Sequence, residues 1–399
     1  MLDIVLFSFL GILIGILAGL VPGLHPNQIY FLSSTLILYL DPKCFVVFLS
    51  SLAASNIVFN YLPSLFLSLP EASTIINILP GHRMVLKGEG MRALLASLSS
   101  MLLALVILSL SLPSLLFFLP LMHKLVSPFI PFLLIGLMCL MVLLERGFEK
   151  KVFAALLFLL SGVWGLVVLN SKLIASHVSI LPALTGLFGL PGLLMSSKTR
   201  IPKQTSHEIT VKVNVKVVFL GLIGGFLSGV LPGAGESQAG VAVMCFQKTG
   251  DEEIVSSLAA INIANTFLSL VMLAATGRVR SGLADALAVL EFKEFLPLSV
   301  GALLFSTGFS AIVCFWSGKR IVSLLEKVDY KKLSYATIAF IIIIVYALSG
   351  FIGLFILLVS TSIGILPLLL HVKRTCNMGF LMVPVIFYYL GFIGLVELL

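Results

Sequence analysis

The residue types best suited to chemistry in this sequence lie in a short motif that occurs twice. The first copy contains Pro22-Gly23 and the second contains Pro232-Gly233, and both follow apolar stretches with the same spacing of Gly, Leu and Gln. A Pro-Gly pair ends a helix and leaves backbone N–H and C=O groups without helical partners. Inside a bilayer such groups are tolerated only beside a polar cavity. The doubled motif therefore predicts two polar breaks that line one site at membrane depth.

The side chains around the two breaks suit the binding of an anion. Asn27 and Ser237 are natural N-caps for helices that resume after the breaks. The free N–H groups and the positive dipole of such helix starts attract negative charge. A second match, Leu52-Ala-Ala-Ser-Asn56 with Leu258-Ala-Ala-Ile-Asn262, places one amide on each equivalent helix. The predicted substrate-binding residues are Pro22, Gly23, His25, Asn27, Gln28, Asn56, Pro232, Gly233, Gly235, Ser237, Gln238 and Asn262.

Glu236 is the acidic residue beside a break, and it is the predicted ion-coupling residue. A carboxylate at membrane depth is expensive and usually functional, so this one could take a proton or help to bind Na⁺. No catalytic residue, metal site or further cofactor is expected. The alternative interpretation is that Glu236 complements a helix N-terminus, that the breaks are packing kinks and that Asn56 and Asn262 hydrogen-bond to neighbouring helices.

The composition excludes a water-soluble protein. The chain of 399 residues is 59% hydrophobic and 11% charged, whereas soluble domains carry about 25% charged residues. Apolar stretches long enough to span a bilayer as helices recur from end to end. The five cysteines are scattered singly, so packing is their expected role. The sequence contains no Walker A motif, Ser/His/Asp arrangement or zinc motif, which argues against an ATP-driven pump or an enzyme.

The positions of the basic residues set the expected topology. Basic residues cluster over 83–92, 146–151, 198–216, 319–332 and 373–374. If these clusters and Lys248 lie in the cytoplasm, 19 of the 25 Lys and Arg residues are inside, as the positive-inside rule requires. The six left outside are Lys43, Lys124, Lys172, Arg278, Arg280 and Lys293. Both termini then lie outside, and the two halves cross the membrane in opposite directions. The predicted fold class is an all-α polytopic membrane protein with two inverted-topology repeats and about 10–14 transmembrane helices, including two Pro-Gly-broken or re-entrant hairpins. The expected organisation is a first repeat over 1–197, a cytoplasmic linker over 198–215 and a second repeat over 216–399.

Three groups of residues carry a resemblance to a known family. They are the two Pro-Gly breaks, the segment from Pro70 to Leu94 with its Gly88-Glu-Gly-Met-Arg-Ala-Leu94 pattern, and Leu184-Thr-Gly-Leu-Phe-Gly-Leu190. With these motifs the chain resembles, over nearly its whole length, the archaeal branch of the TctA family, the large membrane subunit of tripartite tricarboxylate transporters. The resemblance implies cation-coupled secondary transport of di- or tricarboxylates, with a small membrane subunit and an extracytoplasmic binding protein as partners.

The sequence thus favours a secondary transporter for a small organic anion, coupled to H⁺ or Na⁺, with alternating access between two inverted repeats. One alternative is a translocase for a polyprenyl phosphate, because re-entrant breaks also suit a phosphate head group. Another is a membrane scaffold in which neighbouring helices satisfy every buried amide and carboxylate. The expected partners are the bilayer and a small anion, and nucleic acid is not among them.

Overall fold

The computed structural model shows a chain whose regular structure is helical. It describes residues 2–21, 29–30, 33–67, 78–170, 176–195, 211, 213–230, 236, 239–240, 243, 250–327 and 330–392, and none of these residues lies in a strand. The helices are α1 (Leu2–Leu20), α2 (Pro42–Leu67), α3 (Ile78–Leu86), α4 (Gly90–Leu110), α5 (Leu112–Val126), α6 (Ile130–Leu143), α7 (Phe148–Asn170), α8 (Ser176–Leu184), α9 (Leu190–Met195), α10 (Val215–Val230), α11 (Asp251–Thr276), α12 (Gly282–Leu287), α13 (Phe292–Lys327), α14 (Tyr330–Leu369) and α15 (Gly379–Tyr389). Short turns lie at Thr35–Leu38, Ser127–Phe129 and Arg374–Met378, which are 3₁₀, and at Thr185–Gly189, which is π-helical.

Many of these helices are suited to a bilayer. Within the described ranges, eight helical stretches are long and apolar enough to cross a membrane, and two shorter apolar helices cover Val178–Leu194 and Val215–Gly229. Helices predominate because the hydrocarbon core offers no partner for backbone N–H and C=O groups, so these must be satisfied within the segment. The predicted class, an all-α polytopic membrane protein, is confirmed. The inverted arrangement of two repeats and the division at 198–215 stay predictions.

Gly350 divides the longest helix. The apolar stretch Ser334–Leu369 contains 36 residues, about 54 Å of continuous helix against a hydrocarbon core of about 30 Å. Gly350 has φ 60° and ψ −156°, a left-handed backbone that interrupts the helix and that glycine adopts without a steric cost. The interruption falls where the sequence pattern predicts a boundary between spans over 334–349 and 351–370.

A stripe of glycines brings α1 into direct contact with the backbone of α2. A Cβ atom added to any of the three glycines would overlap a carbonyl oxygen of α2, so the two helices pack at a distance that only glycine permits. The glycines are Gly11, Gly15 and Gly19, and the facing carbonyl groups belong to Phe48, Leu52 and Asn56. Both series ascend by four residues, so α1 and α2 are parallel.

The second half contains the same stripe. Gly221, Gly225 and Gly229 of α10 lie 210 residues after the three glycines of α1 and pack on α11 in the same way. A Cβ on Gly221 would meet the Ser257 carbonyl, and one on Gly229 would meet Leu268, so α10 and α11 are also parallel. The repeat that the Pro-Gly motif indicates therefore extends into the packing of the preceding helices.

The two helix pairs run in opposite directions. Gly81 of α3 is in contact with Leu65, near the end of α2, and with Val255, near the beginning of α11. The end of one helix and the beginning of the other thus lie at the same face of the molecule. Helices α2 and α11, which carry the matched Asn56 and Asn262, are consequently antiparallel.

The buried apolar side chains divide the helices into two bundles. Helices α1–α5 and α10–α13 enclose one large cluster and a small adjoining one, and we call them the break bundle because both Pro-Gly segments connect their helices. Helices α6–α9, α14 and α15 enclose two further clusters and form the support bundle. In the part of the chain that the structure describes, Val126 at the end of α5 is the one apolar side chain that packs against clusters of both bundles. Each bundle contains helices from both halves of the sequence.

A buried polar turn holds the support bundle together. Arg374 Nη2 donates to the Phe188 carbonyl at 2.6 Å, and Asn377 Nδ2 donates to the Leu187 carbonyl at 3.2 Å. Both acceptors lie in the π-helical turn, where the ordinary helical bonding is locally altered. Burial lowers the pKa of Arg374 to about 10, so the side chain stays charged at neutral pH. The turn thereby joins residues that are far apart in the sequence.

Ion pairs connect the two halves of the sequence at the start of α11. Asp251 accepts a hydrogen bond from Arg83 and lies 3.9 Å from Lys87 Nζ, and Glu252 Oε2 lies 2.9 Å from Arg92 Nη2. Both acids occupy the first turn of α11, where the helix dipole also favours negative charge. These contacts fix α3 and α4 against the start of α11.

We expect Glu252→Gln to lower the free energy of unfolding by about 1 kcal/mol, because it removes both the ion pair and the dipole contribution. Glu149→Gln is the matched control, since Glu149 also lies in the first turn of a helix but forms no ion pair with any described residue. Thermal melts in detergent at low and high salt measure the difference. Equal melting of the two variants at low salt would contradict a stabilising role for the pair.

Candidate functional site

The chain must turn back once in each half of the break bundle. Because α1 and α2 are parallel, residues 21–41 must carry the chain back along most of α1, whose 19 residues span about 28 Å. Residues 231–250 must do the same between α10 and α11. Each of these return segments begins with a Pro-Gly pair, at Pro22-Gly23 and Pro232-Gly233. The reversal of direction explains why a helix has to end at each motif.

Most of the predicted binding residues lie outside the described residues. They are Pro22, Gly23, His25, Asn27, Gln28, Pro232, Gly233, Gly235, Ser237 and Gln238. Their roles in substrate binding stay predictions. Glu236, Asn56 and Asn262 are described, and so are parts of both return segments.

Glu236, on the second return segment, is hydrogen-bonded to α11. Asn265 Nδ2 on α11 donates a hydrogen bond to Glu236 Oε1. Tyr30, on the first return segment, is 6% exposed and lies within electrostatic reach of the Glu236 carboxylate. A bonded carboxylate–amide pair of the second half therefore lies within electrostatic reach of a phenol of the first half. These groups can hold a proton or coordinate a small cation, and they surround the position that the sequence predicts for ion coupling.

This arrangement is asymmetric between the two halves. At the offset of 210 residues that relates the Pro-Gly motifs, Glu236 aligns with Pro26. At the offset of 206 residues that relates Asn262 to Asn56, Asn265 aligns with Phe59, which is 1% exposed. The polar pair of the second half thus corresponds to two apolar residues in the first. The repeat supplies two breaks but a single carboxylate–amide pair.

The matched amides are buried in the middle of their helices. Asn56 is 3% exposed on α2 and Asn262 is 5% exposed on α11. Gly19 packs against the Asn56 carbonyl, immediately before the first return segment begins. The amides therefore lie on the helices that flank the returns. Whether they contact a substrate stays a prediction.

Sequence reasoning did not single out Tyr30 or the pairing of Asn265 with Glu236. Tyr30 aligns with Gly240 at the motif offset, so comparison of the repeats gives it no counterpart. Asn265 stands three residues from Asn262, which places it near the same helix face, but its partner lies 29 residues away. The spacing from Asn262 identifies Asn265 in the sequence, but it does not identify Glu236 as its partner. No group of three or more metal-ligating side chains occurs within the described ranges.

Apolar helices of spanning length define a polytopic membrane protein. Comparison with known proteins agrees and is more specific. Residues 5–379 match the model of the family described as the tripartite tricarboxylate transporter TctA family, and the chain belongs to that family. It is 29% identical to an uncharacterized protein of Methanocaldococcus jannaschii over 397 residues, which cover 97% of this chain and 99% of the relative. No solved structure matches the chain.

Proposed function

We propose that this protein is a secondary transporter that moves a di- or tricarboxylate across the membrane and is driven by an H⁺ or Na⁺ gradient. The observation that carries the proposal is the Glu236 carboxylate, which accepts a hydrogen bond from Asn265 and lies within electrostatic reach of Tyr30. The family description supports the substrate class, since it names tricarboxylates. The breaks at Pro22-Gly23 and Pro232-Gly233 would present N–H groups to the substrate carboxylates.

Glu236 is the proposed coupling group in this scheme. A carboxylate that binds H⁺ or Na⁺ loses its net charge, which lowers the free-energy cost of moving it together with an anionic substrate. Asn265 orients the carboxylate through its hydrogen bond. Because the polar pair has no counterpart in the first half, we propose one coupling site for each chain.

We further propose that access alternates through movement of the break bundle against the support bundle. The clusters of buried apolar side chains are separate, and Val126 is the described side chain that packs against both. Two internally packed bodies with few shared contacts can shift as units. The unit that moves would then contain helices from both halves rather than one half of the sequence.

The tripartite family description supports two proposed partners, a small membrane subunit and an extracytoplasmic binding protein. The binding protein would deliver substrate to the face that the charge distribution assigns to the outside. The same charge distribution supports placing both termini on that face.

Uptake into proteoliposomes tests the proposed function. We expect labelled citrate or succinate to accumulate inside vesicles under an inward H⁺ or Na⁺ gradient, and the matching ionophore to abolish the accumulation. Citrate at 100 times its Kd should also raise the free energy of unfolding of the purified protein by about 2.7 kcal/mol. Absence of both effects, together with movement of a polyprenyl phosphate between leaflets, would replace this function with the lipid-carrier alternative.

A further inference from the structure

Three polar side chains meet at the junction of the two bundles, away from Glu236. His123 lies on α5, Arg280 lies in the linker between α11 and α12, and Tyr389 ends α15. Arg280 Nη2 is 3.4 Å from His123 Nδ1, and the Tyr389 hydroxyl is within electrostatic reach of Arg280. The first two belong to the break bundle and the third to the support bundle. The cluster therefore lies where the two bundles adjoin.

Part of the hydrogen-bonding capacity of this cluster is not used within the protein. His123 is 5% exposed and its Nε2 atom has no partner. The Nε and Nη1 atoms of Arg280 are also buried without a partner. A buried polar group left in this condition costs about 1–3 kcal/mol, and more when it is charged. Such atoms are normally satisfied, so a ligand is expected to supply the missing acceptors.

The tautomer of His123 follows from its neighbour. A guanidinium can only donate hydrogen bonds, so His123 Nδ1 accepts from Arg280 and the proton of the neutral ring is on Nε2. The cluster thus presents three free donors, namely Nε and Nη1 of Arg280 and Nε2–H of His123. Donors without an acceptor suit negatively charged oxygen atoms rather than a cation, and donors that point in different directions suit an anion with more than one carboxylate.

The charge of the cluster leads to the same conclusion. Arg278 is a second cation within electrostatic reach of both His123 and Arg280. Burial lowers the pKa of Arg280, which is the expected effect of removing a cation from water. The titratable groups that act on Arg280 are Tyr389 and Arg278, and neither is a carboxylate. A buried cation beside a second cation is stabilised by a bound anion.

We propose that His123, Arg278 and Arg280 form a separate anion-binding site that receives a carboxylate group at the junction of the bundles. The identification of that carboxylate with the transported substrate rests on the proposed function. The face is the one that the charge distribution assigns to the outside, because Arg278 and Arg280 are among the six basic residues left there. Arg280 would donate to this carboxylate from Nε or Nη1. His123 Nε2–H, which points away from Arg280, would donate to a second carboxylate of the same anion. Substrate would therefore bind here before it reaches the return segments.

The test measures anion-dependent melting of the full chain in detergent, with citrate, succinate and inorganic phosphate as probes. We expect Arg280→Gln to raise about tenfold the citrate concentration that is needed for a given increase in melting temperature. Arg280→Lys should raise this concentration less, and His123→Gln should have an intermediate effect. Lys293→Gln is the matched control, because Lys293 is an exposed cation assigned to the same face. Without anion, Arg280→Gln should melt no lower than the unmodified protein, since the substitution removes an unpaired buried charge.

Comparison with transport separates this proposal from the proposed function. If uptake occurs, Arg280→Gln should raise KM about tenfold with little change in the maximal rate. If no uptake occurs but citrate stabilisation still depends on Arg280, the site stands and the transport function fails. Equal citrate stabilisation in Arg280→Gln and Lys293→Gln would overturn the site. If anionic lipid in nanodiscs stabilised the protein through Arg280 and citrate did not, the carboxylate site would be overturned as well, because the ligand would then be a phosphate head group.

Discussion

Glu236→Gln is expected to abolish ion-driven accumulation of carboxylate while exchange of substrate across the membrane continues. Glutamine keeps the oxygen that accepts from Asn265 but cannot bind a proton or balance the charge of Na⁺. For each net charge that moves inward, a potential of 100 mV supplies about 2.3 kcal/mol, which corresponds to roughly fiftyfold accumulation. The variant should therefore reach an inside-to-outside substrate ratio near one. Labelled citrate in proteoliposomes, with and without a gradient, measures this ratio.

Two controls separate coupling from folding. Glu291→Gln changes an exposed carboxylate that lies at the surface pocket near the start of α13, and it should accumulate substrate normally. Asn265→Leu removes the hydrogen bond to Glu236 but keeps the carboxylate, so accumulation should be reduced rather than lost. Concentrative uptake by Glu236→Gln would show that the coupling ion binds elsewhere.

The features that the sequence predicts correctly are those set by local chemistry. Lipid forces the backbone into helices, so the apolar stretches identify an all-helical membrane protein, and the interruption at Gly350 falls between two predicted spans. The Pro-Gly motif also marks correctly where α1 and α10 end, since these helices end at Leu20 and Val230. Gly15 and Gly225 belong to that motif, yet their close approach to α2 and α11 is visible only in the structure.

The features that the sequence does not reveal depend on contacts between distant segments. Tyr30 and Glu236 are 206 residues apart, and no periodic pattern connects them. The division into bundles is hidden for the same reason, since helices of one half pack with helices of the other, as in the 2.7 Å contact between Ser50 Oγ on α2 and Ser299 Oγ on α13. The linker in the sequence suggests that the two halves of the chain move as units. The clusters of buried apolar side chains instead favour the two bundles as the units of movement.

The glycine stripes lead to the second large prediction. We expect Gly15→Leu and Gly225→Leu each to destabilise the protein by roughly 3 kcal/mol, the upper end of the usual cost of overpacking. At Gly15 the new side chain would overlap the Leu52 carbonyl and Ser55, and at Gly225 it would overlap Ala264. A backbone carbonyl cannot rotate away, so α1 has to move from α2 and carry the start of the first return segment with it. Thermal melts of the purified variants in detergent measure the loss.

Gly301→Leu is the control that isolates packing from helix propensity. Gly301 is an exposed position on α13 with nothing within 4 Å of an added Cβ atom. Leucine there should stabilise the helix by up to about 1 kcal/mol, because it replaces a poor helix former. Since the same propensity gain applies at Gly15 and Gly225, any loss of stability at those positions measures the contact alone. If Gly15→Leu melted together with Gly301→Leu, α1 and α2 could not approach as closely as the structure shows, and the return of the chain through residues 21–41 would lose its geometric basis.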